Sequence, residues 1–381
     1  METLLVPQGA FTLHRYPLRN KETLRAWDAA DEYLLQQLAD ENLPGDRHKL
    51  LIVNDSFGAL STVLAEHNLT LWSDSYLAHR GTLANLQTNN KPHQAVTLLE
   101  SVQTPTDNYD LVLIKVPKTL ALLEDQLYRL RPHLHPQTRI LASGMVKGIH
   151  TSTLKLFEKI IGPTTTSLAR KKARLIFSEL DPNLAPGNTP YPQRYVLDGT
   201  DYNISNHANV FSREKLDIGT RFFLQHIPSN NAERIIDLGC GNGLVGLIAA
   251  ERNPNAEVTF IDESFMAVAS ARANFEAARP ASTTKATFLA NDCLTGIAEN
   301  HYHLILNNPP FHQQHTVGDF IAWQMFQSSR KCLQPGGELW VIGNRHLGYH
   351  VKLKRLFGNC ETVASNNKFV VLKAVKTAVP L

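Results

Sequence analysis

The chain has 381 residues, 43% apolar and 19% charged, with a formal net charge of +3. That length exceeds one ordinary domain and fits two of ~180 residues, and the composition excludes a disordered chain. No apolar run approaches the ~20 residues of a membrane span, and the near-neutral total leaves the distribution of charge, not its sum, to be read for nucleic-acid contact.

The first half, residues 1–180, is expected to form one α/β domain. A strand-like run KLLIV (49–53) leads into NDSFG, LWSD (71–74) is followed by a helical pattern carrying Asn85, and YDLVLIKVPK (109–118) reads as a further strand and turn. A basic stretch follows, with Lys147, Lys155, Lys159, Arg170, Lys171, Lys172 and Arg174 around the single acid Glu158. Such a cluster suits a phosphate-contacting surface; the plain alternative is a set of solvated helix and strand faces. Residues 181–192, DPNLAPGNTPYP, hold four prolines in twelve positions. Proline cannot continue a helix or a sheet interior, so this stretch suits an exposed connection. The expected layout is therefore a domain at 1–180, a linker at 181–193 and a second domain at 194–381.

In the second half, residues 195–204 alternate around Asp198-Gly199, a hairpin signal. From Arg234 onward, short β-branched runs (234–237, 258–262, 286–289, 304–306 and 338–342) alternate with helical patterns. This is the grammar of a doubly wound, Rossmann-like sheet with a ligand crevice at the C-terminal ends of its strands. The two halves share it anchor by anchor. Residues 49–58 sit where 234–241 sit later, Leu71 to Asn85 parallels Phe260 to Asn274, 109–118 aligns without gaps to 302–311, and Gly148 with His150 matches Gly348 with His350. The expectation is an α/β chain of two tandem Rossmann-like domains from an internal duplication. A second basic stretch, Arg345, Lys352, Lys354, Arg355, Lys368, Lys373 and Lys376, closes the chain. Cys240, Cys293, Cys332 and Cys360 show no CxxC pair or metal-ligand spacing and are expected to be reduced. Residues 1–20 have no apolar signal core, so the expected setting is the cytoplasm, with no membrane and no metal.

Chemistry concentrates in the second half. DLGCGNG (237–243) follows a strand and opens a helix; Gly239 and Gly241 allow close backbone approach, and the helix start offers free N–H groups. A carboxylate at Asp237 suits an ammonium group and would repel a diphosphate. Asp262 ends the next strand, where an acid can take two ribose hydroxyls, and Asp292 at the third strand end can accept from an adenine amino group. Three acids on successive strand ends describe a nucleoside site. Asn308-Pro309-Pro310-Phe311 carries the sharpest signal. Prolines fix the backbone past a strand, so the Asn308 amide oxygen and the Pro309 carbonyl form two acceptors for one exocyclic amino group, and Phe311 offers a stacking face to an unpaired base. Two acceptors at the hydrogens of that weakly nucleophilic nitrogen would localise its lone pair for in-line methyl transfer without a covalent intermediate. His312 and His315, three apart and without acidic partners, are insufficient for a metal site and suit the substrate entrance or phosphate contacts.

DLGCGNG with NPPF resembles the class I amino-methyltransferases, and residues 209–219, NVFSREKLDIG, are similar to the segment that closes over the cofactor in the ribosomal RNA guanine-N2 methyltransferases. The resemblance extends through residues 26–38, 114–124, 150–159 and 367–373, nearly the whole chain, and so favours the large-subunit branch of that family over the small-subunit branch. It implies S-adenosyl-L-methionine as methyl donor and formation of N2-methylguanosine in 23S rRNA. It places Phe211, Asp217 and Gly219 at the border of the cofactor pocket. The first copy departs from the motif: Asn54 stands for Asp237, Ser56 and Phe57 for Gly239 and Cys240, and Lys115 for Asn308. That half is expected to bind no cofactor and to hold RNA through Lys115, Lys118, Arg170, Lys171, Lys172 and Arg174; the plain alternative is a structural partner domain. Other readings are a small-subunit guanine-N2 methyltransferase, an enzyme for adenine N6 or a protein glutamine amide, and a non-catalytic ribosome-assembly factor.

Overall fold

A strand covered on both faces has no polar side to alternate with, and the first half contains two such runs, KLLIV and LVLIK, each with four of five residues buried. They are the two central strands of a sheet. The structure is a computed structural model describing residues 2–19, 22–229, 232–278, 285–310 and 315–378. Two compact units make up the chain, Met1–Tyr191 and Pro192–Leu381.

The first unit runs β1 (Glu2–Val6), β2 (Gly9–Leu13), α1 (Ala29–Asp40), β3 (Lys49–Val53), α2 (Ala59–Val63), β4 (Asn68–Ser73), α3 (Tyr76–Thr88), β5 (Val96–Glu100) and β6 (Leu111–Lys115). It continues with α4 (Leu120–Leu130), β7 (Arg139–Met145), α5 (Thr151–Ile160), β8 (Thr164–Thr166) and β9 (Ala173–Ser178). The second unit runs β10 (Gln193–Val196), β11 (Asn203–Asn206), α6 (Ile218–Gln225), β12 (Arg234–Leu238), α7 (Leu244–Arg252), β13 (Glu257–Asp262), α8 (Phe265–Ala278) and β14 (Ala286–Ala290). It ends with β15 (Tyr302–Asn307), α9 (His315–Cys332), β16 (Leu333–Asn344), α10 (Tyr349–Phe357), β17 (Glu361–Ser365) and β18 (Phe369–Val375). No helix among the described residues is long and apolar enough to cross a membrane.

Each unit holds one seven-stranded sheet, ordered β5-β4-β3-β6-β7-β9-β8 in the first and β14-β13-β12-β15-β16-β18-β17 in the second. In both, five parallel strands are followed by an antiparallel strand and its hairpin partner. The order reverses between β3 and β6, and between β12 and β15, which opens a crevice at the strand ends. The chain is a tandem pair of Rossmann-like folds.

The duplication reaches individual hydrogen bonds. Asn85 on α3, fully buried, donates to the carbonyls of His14 and Phe57 and accepts from the His14 amide. Asn274 on α8 donates to Ser205 and Asn242 and accepts from the Ser205 amide. One side chain thus ties the antiparallel hairpin, the loop after the first parallel strand and the second crossover helix together in each unit. Just past that loop, Gly58 and Gly243 lie at φ +77° and +79°, and a Cβ on either would stand within 3 Å of the neighbouring helix, at Thr82 and Ala271. Only glycine satisfies both demands at these positions.

The proline-rich stretch, expected to be an exposed connection, has no buried residue and is hydrogen-bonded to the first unit as far as Tyr191. Proline removes donors but leaves carbonyls, and side chains of the unit use these. Arg131 donates to the carbonyls of Asp181 and Leu184, Tyr128 to that of Pro186, and Thr189 and Tyr191 reach back to Asp125 and Glu124. Because the Asn85 bonds are buried and local to one junction, Asn85→Ala is expected to cost ~3 kcal/mol by stranding the His14 and Phe57 groups. Urea unfolding of the variant, followed by a first-unit probe such as Trp72, measures that loss.

Candidate active site

The loop after β12 turns through Gly239 and Gly241, at φ +72° and +53°; the space that a Cβ of Gly241 would occupy is open to 4 Å. Carboxylates hold this loop. Asp237 is 2% exposed and accepts from the Gly246 amide at 2.8 Å, so it braces the start of α7 from beneath. Burial pushes its carboxyl up to about 7. Asp262 accepts from the Gly241 amide with one oxygen and from the Ser264 amide with the other, both at 3.0 Å; burial again raises its carboxyl above the ordinary range. Asp292 is buried and accepts from Gln324 on α9 at 3.0 Å. Neither Gln324 nor the inward face of Asp237 carries a mark in the sequence.

Asn308 stands just past β15. Its Nδ2 donates to Thr220 Oγ1 at 3.1 Å, while its Oδ1 is buried without a hydrogen-bond partner among the described residues. Thr220 lies in the first turn of α6, capped by Asp217, which accepts from the Thr220 amide at 2.8 Å and from its hydroxyl at 3.3 Å. Gly219 fits between them: a Cβ there would stand 3.0 Å from both Asp217 Oδ2 and the Phe369 ring. The backbone oxygen of Asn308 lies beside Gly239, so glycine loop, α6 start and proline turn converge. Pro309 is buried, and Phe211 is 57% exposed in the segment preceding α6. Phe311, His312 and the His315 side chain lie outside the described residues. Among those described, no group of three His, Cys, Asp or Glu side chains is arranged to hold a metal ion.

In the first unit, strand register fixes which residues take these places. Leu50 pairs with Leu111 as Ile235 pairs with Leu304, so Lys115 does occupy the Asn308 position. The glycine-loop correspondence needs correction by two residues. Lys49 starts β3 as Arg234 starts β12, which puts Ile52 at the Asp237 position and Asn54 at that of Gly239. Ser73 takes the place of Asp262, and Val102 that of Asp292. The bracing acid survives at another point: Asp55 accepts from the Ala59 and Ser61 amides, Ser61 being the counterpart of Gly246. Burial, with the nearby Asp31 charge, raises the Asp55 carboxyl to about 6.

Lys115 is corrected as an RNA contact. Its side chain is 13% exposed, and its ammonium lies 2.5 Å from Asp31 and 3.1 Å from Asp28, the residues in the Thr220 and Asp217 positions. Burial alone would push this ammonium down; the two carboxylates outweigh it and hold it above its ordinary value. A phosphate could reach it only by breaking that triad. Lys118, Arg170, Lys171 and Lys172 are exposed, and Arg174 is half-buried. Lys171 and Lys172 form the tip of the β8–β9 hairpin at φ +49° and +64°, with Lys171 2.9 Å from Glu32 and Arg170 over the Tyr33 ring.

Residues 1–182 match the family model described as the RLMG N-terminal domain, and residues 201–373 the methyltransferase small domain. The chain is 53% identical to a ribosomal RNA large subunit methyltransferase G of Streptomyces griseus, over 99% of this chain and all of that one. The chain belongs to the ribosomal RNA large subunit methyltransferase G family. A second such relative, from Streptomyces avermitilis, is 51% identical over 98% of this chain and 99% of its own. A T. thermophilus 16S rRNA N2 methyltransferase, solved with AdoMet and guanosine, superposes with TM-score 0.74 at 19% identity, covering 98% of this chain and 97% of that one. At that identity it shows the shared two-unit fold.

Removing the ammonium of the buried triad leaves two carboxylates facing each other. Lys115→Met is therefore expected to destabilise the first unit by ~3 kcal/mol near pH 7.5. Burial raises the Asp31 carboxyl, so the variant's penalty grows as pH rises through that raised value and shrinks as pH falls toward it, with pH 5 as the acidic comparison. Urea unfolding of wild type and variant at the two pH values measures the difference.

Proposed function

We propose that this chain methylates the exocyclic N2 amino group of one guanine in 23S rRNA, with S-adenosyl-L-methionine as donor and the second unit as the catalyst. The observation that carries the reading is the buried Oδ1 of Asn308, without a hydrogen-bond partner among the described residues. A buried acceptor left open costs ~1–3 kcal/mol unless a donor arrives, and an exocyclic amino group is such a donor. The family assignment supports ribosomal RNA of the large subunit as substrate, and hence the cytoplasm as the place of work.

The residues present fit the donor. Gly239 and Gly241 leave room for close approach, Asp262 and Asp292 stand at successive strand ends for ribose and adenine, and Phe211, Asp217 and Gly219 border the same place. When bound, the donor supplies an electrophilic methyl group on a sulfonium. The protein's part is to orient the nucleophile: Asn308 Oδ1 and the Pro309 carbonyl accept from the amino group and concentrate its lone pair, and Phe311 is assigned to stack the base. With Nδ2 donating to Thr220, the amide of Asn308 is turned so that its Oδ1 is the end left for the substrate.

Tritiated methyl transfer to rRNA from a strain lacking the gene, followed by nucleoside analysis, tests this directly. Labelled N2-methylguanosine in 23S rRNA is expected. Label in 16S rRNA would move the assignment to the small subunit, and no transfer to naked RNA or to subunits would favour an assembly factor. In the same assay Asn308→Ala is expected to lower turnover at least ~100-fold with donor affinity nearly unchanged, the scale of a lost transition-state contact.

The first unit is assigned to hold RNA through its exposed Arg170–Lys172 tip and Lys118, with Arg174 at the side. These groups lie at the sheet edge that corresponds to the active edge of the second unit, where Lys368 occupies the turn position of Lys172. Lys171→Glu with Lys172→Glu is expected to raise KM for RNA several-fold and flatten its salt dependence, with kcat and donor affinity unchanged. An unaltered KM would remove this tip from the RNA surface.

A further inference from the structure

Asn308 and Thr220 are 88 residues apart in sequence and 3.1 Å apart at Nδ2 and Oγ1. The direction of each hydrogen bond between them follows from chemistry. The Asp217 carboxylate only accepts, and it accepts from the Thr220 hydroxyl as well as the Thr220 amide. With its hydrogen committed to Asp217, the hydroxyl can only accept from Asn308. Asn308 must then turn its NH2 toward Thr220, which sends Oδ1 the other way, to the position where it has no partner among the described residues.

The first unit provides an internal comparison. The same three positions are coupled there, as Asp28, Asp31 and Lys115. There the strand-end side chain is a donor only: the Lys115 ammonium meets the two acids and brings no acceptor of its own. The coupling of strand end to helix start is thus common to both units. The hydroxyl at 220 is what makes it leave a free acceptor in one of them.

We propose that Thr220 is a positioning residue for methyl transfer: with Asp217 it fixes the rotamer of the Asn308 amide so that oxygen, not nitrogen, meets the substrate amino group. A flipped amide would set NH2 against NH2, donor against donor, and would remove the acceptor that directs the lone pair. This inference rests on the assignment of Asn308 as the amino-group acceptor.

Thr220→Val keeps the shape and deletes the hydroxyl; Thr220→Ser restores it. Thr220→Val is expected to lower kcat about tenfold, with donor affinity by equilibrium titration and thermal midpoint close to wild type, and Thr220→Ser to recover most of the loss. In an Asn308→Ala background, Thr220→Val should add nothing, because its effect runs through the amide. Weakened donor binding with wild-type kcat at saturation would make Thr220 a donor contact and overturn the proposal, as would an unchanged kcat or a loss additive with Asn308→Ala. Full turnover of Asn308→Ala by itself would instead overturn the Asn308 assignment, and the proposal with it.

Discussion

A primary amide has a donor end and an acceptor end, and in the second unit the donor end of Asn308 is turned inward, donating to Thr220. The placement of that amide depends on much of the fold. It requires the fourth parallel strand to end beside the first turn of α6, and α6 to be capped by Asp217. It also requires Gly239 to pass close to the Asn308 backbone. The backbone of Gly239 lies at φ +72°, and a Cβ there would stand 3.3 Å from the Met325 methyl, so glycine suits this turn.

The same scaffold in the first unit serves a different end. Its sheet order, its buried asparagine clamp and its glycine before the first crossover helix are all kept. These are the features on which folding depends. At the strand ends the residues differ: Ser73 stands for Asp262, Val102 for Asp292, and Lys115, in the place of Asn308, is neutralised by two acids of its own chain. The bracing carboxylate marks the line between the two classes. Its job at the helix start is structural, so an acid persists there, moved from the strand end to Asp55 in the loop.

The duplication, the alternating strands and helices and the NPPF signature were legible because each is written in local pattern. Register within the glycine loop was not. KLLIVNDSFG and RIIDLGCGNG share only hydrophobicity before their glycines, so an acid near the strand end was matched to the wrong neighbour. The burial of Lys115 was equally hidden, since Asp28 lies 87 residues upstream and nothing local distinguishes a lysine at a sheet edge from one in solvent. Thr220 and Gln324 escaped notice for the same reason: each is an ordinary helical residue whose meaning comes from a partner brought close by the sheet. The prolines of 181–192 correctly signalled an irregular path, but proline content carries no information on where carbonyls find donors.

The triad also constrains substitution at its three positions. Restoring asparagine at 115 alone would strand Asp28 and Asp31 without a counter-ion, and replacing either acid first would leave the lysine partly unpaired. Even with both steps taken, Ile52, Ser73 and Val102 would still offer a nucleoside no carboxylate. Each single step backward lowers stability before it returns any binding. With the lysine and its acids in place together, none of the three can be replaced without leaving another short of its partner.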